Sequence, residues 1–160
     1  MTTDTQAPVT IRDGGERDQA FVYSSWLQSY RSSAFARPIP THTYFDRHHA
    51  VLERILARPT TRIVVATPED APAVILGWAV TEGLLRGSAR DGAAGPVLIT
   101  PTTSTPTLHY VYVKEQFRKL GIARQLVTRL GRRFAVTHRT AVVEGAMRRR
   151  PDVVYDPYLI

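Results

Sequence analysis

HYVYVKEQFRKLGIARQLVTRL, residues His109 to Leu130, decides how this chain is read. Aromatic and β-branched residues predict a strand over Thr107 to Val113. A short turn carrying Arg118, Gly121 and Ala123 follows. A helix is then predicted from about Lys119 to Leu130, with Leu120, Ala123, Val127 and Leu130 on its buried face and Gly131 as its C-cap. Gly121 lets a ligand approach the backbone closely. The free N–H groups of a helix start point at negative charge. Strand, glycine turn and helix together build a cradle for an anion.

Upstream, Val9 to Arg12 alternates like a short strand. Asp13 is placed as an N-cap, with Glu16 three residues later, for a helix running to about Tyr30. Tyr23, Trp26, Leu27 and Tyr30 share one face of it. Two prolines in Ser32 to Pro40 break the helix. A second helix is predicted from Thr43, with Asp46 in its first turn and Phe45, His49, Leu52 and Leu56 as its apolar stripe. It stops before Pro59. Arg62 to Thr67 and Ala73 to Thr81 read as strands joined by the turn Pro68-Glu69-Asp70.

Residues 83–106 are rich in Gly, Ala, Thr and Pro, with a brief apolar run at 97–99. Two readings stand, an elaborated loop near a site and a disordered insertion. Downstream, Arg132 to His138 reads as a strand and Thr140 as the cap of a helix through Arg149. Pro151 ends that helix, and Val153 to Tyr155 is a last strand. Ala141 to Val143 suits either a helix or a strand. The order is β-α-α-β-β-β-α-β-α-β, an α/β or α+β mixed sheet with helices packed on it.

At 160 residues the chain reads as one domain over 8–160 behind a flexible tail at 1–7. Without cysteine it has no disulfide, thiolate metal site or cysteine nucleophile, which suits the cytoplasm. No apolar run approaches the ~20 residues that span a bilayer. The net charge of +7, from 21 Lys and Arg against 14 Asp and Glu, attracts anions. Arginine-rich codon usage explains the same number, so charge alone selects no partner.

The segment Val111 to Ala123 resembles the central motif of the GNAT superfamily, the acyl-CoA-dependent N-acetyltransferases. That motif is a strand ending in Val, four residues, then Arg/Gln-x-x-Gly-x-Gly/Ala opening a helix. Here it reads Val111-Tyr112-Val113, Lys114 to Phe117, then Arg118-Lys119-Leu120-Gly121-Ile122-Ala123. With the element order, the resemblance covers about residues 8–156. More loosely, FVYSSWLQSYR, YVKEQFRKLGIA and YDPYLI resemble a compact GNAT-like group of bacteriophages and prophages.

The resemblance implies a GNAT-like fold and acetyl-CoA as co-substrate, with no metal. It implies that Val111, Tyr112 and Val113 form the cofactor-binding strand, with the backbone of Val111 and Val113 hydrogen-bonding the pantetheine arm. It also implies that the N–H groups of Arg118, Lys119, Leu120, Gly121, Ile122 and Ala123 bind the pyrophosphate. Lys119 stands where the family often has Gly, and Lys119 or Arg124 would reach the phosphates. The family's sheet continues to a seventh strand, so a strand from a second copy, as in a homodimer, would complete it.

Acetyl transfer needs a base for the amine and an acid for the leaving thiolate. His138, at the end of a strand beside the acetyl group, is the first candidate base, with an unperturbed pKa of about 6.5. Glu82 and Glu144 are alternatives. Tyr155 is the candidate acid. Either His109 or Tyr110 faces the cleft. His48 and His49 point apart on their helix and form no metal site. Trp26, Tyr30 and the 32–40 loop would flank the acceptor.

Three functions remain open: an N-acetyltransferase acting on an unidentified amine by direct attack, a GNAT-fold protein that binds the cofactor without chemistry, and a basic nucleic-acid-binding protein. The last lacks a recognised motif or an aromatic–basic platform.

Overall fold

A computed structural model describes residues 8–83 and 105–160. The expected tail at 1–7, and nearly all of the 83–106 segment with its apolar run, lie outside the described residues. Along the chain run β1 (Val9–Asp13), α1 (Glu16–Arg31), α2 (Thr41–Leu56), β2 (Thr61–Pro68) and β3 (Gly77–Glu82). They are followed by β4 (Thr107–Val113), α3 (Ile122–Val127), β5 (Phe134–Val136), α4 (Ala141–Arg149) and β6 (Val153–Tyr155). This is the element order that the sequence predicts.

The strands form one sheet in the order β1-β2-β3-β4-β5-β6. Neighbours from β1 to β4 are antiparallel. β4–β5 and β5–β6 are parallel. Helices cover both faces. Val22, Trp26, Leu52 and Ile55 of α1 and α2 bury one face with Val65, Trp78 and Tyr110. Ile122 and Leu126 of α3 and Val143 of α4 bury the other with Val64, Ala79 and Val136. Because β2 and β3 are covered on both sides, they read as continuous apolar runs rather than alternating ones.

Several boundaries differ from the sequence reading. Gly15, not Asp13, is the N-cap of α1, and Asp18 reaches back 2.8 Å to accept the Gly15 N–H. Arg12 holds the same buried carboxylate at 2.8 and 3.0 Å, tying β1 to α1. α2 begins at Thr41, and its buried face is Tyr44, His48, Leu52 and Ile55, one position off the stripe expected through Phe45 and His49. β3 starts at Gly77 rather than Ala73. The helix expected from Lys119 starts at Ile122 and tightens to a 3-10 turn over Thr128–Leu130. Its buried face is Ile122, Leu126 and Leu130, while Leu120 is exposed. The strand expected over 132–138 holds only Phe134–Val136. Ala141 to Val143 are helical, with the Thr140 hydroxyl accepting the Val143 N–H at 3.2 Å.

Two irregularities of β4 shape the site. Its register against β3 shifts, so that Val80 faces Tyr110 but Thr81 faces Leu108, and His109 is the extra, bulged residue. Leu108 and Tyr110 therefore pack on opposite faces of the sheet although they are two residues apart. On its other side β4 pairs with β5 only at Thr107 and Leu108, and then the strands part.

Candidate active site

The parting of β4 and β5 leaves a backbone edge. The Lys114 N–H donates to Leu76 O of the chain leading into β3 at 2.9 Å. By alternation along an antiparallel strand, Tyr112 also turns its backbone to β3, and Val111 and Val113 turn theirs to the gap. The Val113 carbonyl accepts from Arg118 Nε across that side at 3.1 Å.

Beyond β4 the chain turns sharply. Lys119 and Gly121 both adopt the left-handed conformation, with φ of 68° and 76°. Alternating handedness turns successive N–H groups toward one point and makes an anion-binding concavity. Among the described residues, the backbone N–H groups of Lys119 through Arg124 have no acceptor. A side chain built on Gly121 would meet nothing within 4 Å, so the space beside this turn is open.

At the inner end of the gap sits His138, buried at 5% exposure. Its ring meets Trp26, Tyr30 and His48 edge-on, with centroids 5.3, 4.9 and 5.2 Å away. Burial, reinforced by His48 and His109, lowers the His138 pKa to about 3. Burial also lowers His48 to about 4 and raises the Tyr30 hydroxyl to about 12. These groups are neutral at neutral pH. Leu108, Val111, His138, Thr140 and Val143 surround a void of only about 10 Å³, about one water in size.

The other predicted residues fall nearby or elsewhere. Tyr155 ends β6 opposite Val136 and lies half-exposed under the Arg139 guanidinium, 5.4 Å from its ring centre. Glu144 pairs with that same arginine. Glu82 ends β3 on the far side of the sheet's centre, where it accepts from Thr60, Arg58 and His109. Burial raises its pKa, but those hydrogen bonds outweigh it and hold the carboxyl below its usual range. Of the two β4 residues, Tyr110 faces the α1–α2 layer, where its hydroxyl meets Ser29 Oγ at 3.1 Å. His109 turns to Glu82 instead. His48 packs inward between Tyr30 and Tyr44, whereas His49 bonds Tyr23. Sequence reasoning assigned no role to Arg58, whose partners Glu82 and Leu159 are distant in the chain, and read Thr137 only as part of a turn that could hydrogen-bond His138.

No protein-family model matches the chain, and no curated protein matches it. Solved structures do. A protein from Pyrococcus furiosus, assigned provisionally as an acetyl transferase, is 19% identical over 93% of this chain and 82% of its own, with a TM-score of 0.54. An acetyltransferase from Vibrio fischeri is 18% identical over 91% and 95%, at 0.46. The aminoglycoside N-acetyltransferase AAC(6')-Iy, solved with CoA, is 18% identical over 96% and 80%, at 0.44. The Pyrococcus structure carries the comparison: the chain shares its fold, a six-stranded mixed sheet flanked by helices. None of the three is described as a phage protein. Among the described residues, no helix is long and apolar enough to cross a membrane.

Proposed function

We propose that this protein is an acetyl-CoA-dependent N-acetyltransferase acting on a primary amine by direct attack on the thioester. One observation carries the reading. β4 leaves β5 after two pairs and ends beside a turn of unpaired N–H groups. A strand edge beside an anion cradle suits an extended amide-bearing arm that ends in a pyrophosphate. The Val111 and Val113 backbone would bind the arm as Tyr112 packs away, and the N–H groups of Lys119 to Ala123 would bind the phosphates, with Arg124 at the rim; the Arg118 N–H, expected to join them, instead donates to Glu115 O at 3.1 Å.

Acetyl-CoA supplies the activated acetyl group. The amine nitrogen forms a bond to the carbonyl carbon, the C–S bond breaks, and its electron pair leaves on sulfur. His138 accepts the N–H proton, and Tyr155 protonates the thiolate. The water-poor aromatic surroundings favour an amine that enters uncharged. The reading implies a compartment that supplies acetyl-CoA, the cytoplasm.

Calorimetric titration with acetyl-CoA, with desulfo-CoA and ATP as controls, tests the cofactor site. Gly121→Glu puts a carboxylate into the cradle and is expected to weaken binding by at least about 100-fold. Unchanged affinity would place the cofactor elsewhere. A second reading, a cofactor-binding protein without turnover, is favoured by the small void beside His138. Product from a panel of amines decides between the two.

A further inference from the structure

Glu82 and His138, read from the sequence as rival bases, are the two ends of one hydrogen-bonded chain. Glu82 Oε2 lies 3.0 Å from His109 Nε2. His109 Nδ1 lies 3.1 Å from Thr137 Oγ1. Thr137 Oγ1 lies 2.9 Å from His138 Nδ1. The chain runs from the end of β3, through the bulge of β4, to the end of β5. Its outer end is anchored: Thr60 Oγ1 donates to Glu82 Oε1 at 2.6 Å and Arg58 Nη1 to Oε2 at 3.0 Å. The Glu82 side chain keeps 23% of its exposure, while that of His109 has none.

The sense of every bond follows from that outer end. An ionised carboxylate only accepts, so His109 Nε2 carries a hydrogen. Burial lowers the His109 pKa against the pull of Glu82. A neutral imidazole has one N–H, so His109 Nδ1 must accept, and its neighbour there is the Thr137 hydroxyl. That hydroxyl has one hydrogen to give. Its competing acceptor, the His109 carbonyl, is farther away at 3.4 Å. The Thr137 oxygen then accepts from His138 Nδ1–H. His138 is left with a bare lone pair on Nε2, on the other side of its ring.

We propose that Glu82 and His109 are positioning residues that act through Thr137 to hold the His138 proton on Nδ1 and keep Nε2 free for the amine. The inference rests on reading this site as an N-acetyltransferase. The proton balance closes along the chain. As the N–C bond forms, the amine proton passes to His138 Nε2. The Nδ1 proton moves to Thr137, the Thr137 hydrogen to His109 Nδ1, and the His109 Nε2 proton to Glu82. The Glu82 carboxylate opens on a groove of about 1100 Å³ lined by Arg58, Thr60, Arg62 and Arg133, from which water takes the proton. A buried imidazole that resists charging need not hold it.

Two-bond ¹⁵N–¹H NMR of the imidazoles tests this without any substrate. The expected wild-type spectrum has His138 protonated on Nδ1 alone. Thr137→Val removes the link, so His138 loses its single tautomer, and kcat falls about 100-fold while KM for acetyl-CoA stays within about twofold. A wild-type proton on Nε2, or an unchanged His138 spectrum in Thr137→Val, overturns the inference. Should Thr137→Val fail to fold, Glu82→Gln decides at the more exposed end. The amide can donate to His109 and reverse the chain, so a second His138 tautomer is expected, and an unchanged spectrum overturns the inference. An Nδ1 proton in a wild-type protein that acetylates no amine upholds the chain and overturns the enzymatic reading instead.

Discussion

Lys119 rests at φ 68°, a region that costs a side-chain-bearing residue about 1–2 kcal/mol. Lys119→Gly is therefore expected to stabilise the fold by about 1 kcal/mol in urea denaturation, with the entropy of glycine offsetting part of the gain. Gly121 gives the converse. It has the same handedness and open space around it, so Gly121→Ala should cost about 1 kcal/mol from the backbone alone. Lys119→Gly also separates two ways of binding phosphate. If the backbone N–H groups do the binding, acetyl-CoA affinity changes by less than about threefold, under 1 kcal/mol. A loss of tenfold or more would assign the work to the ammonium. The sequence made Gly121 legible because glycine advertises a special turn. It did not make Lys119 legible, because nothing in a lysine announces a left-handed backbone, and for the same reason the helix was expected three residues too early.

At the scale of elements, α4 depends on its cap. Thr140 Oγ1 accepts from Val143 N–H, and both residues border the void beside His138. Thr140→Ala is expected to cost about 1 kcal/mol of stability. If α4 walls the acetyl site, the same change raises KM for acetyl-CoA, whereas a shift in melting temperature alone would make the helix purely structural. The cap itself was readable because hydroxyl capping is a local rule, whereas Ala141 to Val143 after it suited a strand as well as a helix. β4 was readable from end to end for a similar reason, its dense β-branched and aromatic run. What failed was decided by distant partners. The stripe of α2 was assigned by apolarity to Phe45 and His49. Tyr44 is buried instead because its hydroxyl reaches Leu27 O at 2.6 Å, and His48 follows it inward one turn later. The bulge at His109 has no sequence signature, since it appears only when β4 is laid against β3. Hence Glu82 and His138 were separate candidates in the sequence, and only the fold joins them.

For the whole molecule, three buried histidines, His48, His109 and His138, tie stability to pH, and burial lowers the pKa of each. His48 and His138 have folded pKa values of about 4 and 3, below the unfolded value of about 6.5. A depressed histidine favours the folded state while neutral. Its contribution is complete above the unfolded pKa and is lost as pH falls below it, because the unfolded chain then takes up the proton first. Between pH 7 and pH 5 His48 and His138 are each expected to remove about 2 kcal/mol, so these two remove about 4 kcal/mol, with His109 adding in the same direction, a large part of the ~5–15 kcal/mol that holds a domain together. The acidic groups do not cloud this window. The Asp18 and Glu82 carboxyls are held below their usual range, so their contributions fade only at lower pH. Urea denaturation at the two pH values measures the difference, and His48→Leu should remove about 2 kcal/mol of it. A wild-type loss under about 1 kcal/mol would mean that water reaches these rings in the folded state, and the closed aromatic chamber around His138 would then be wrong.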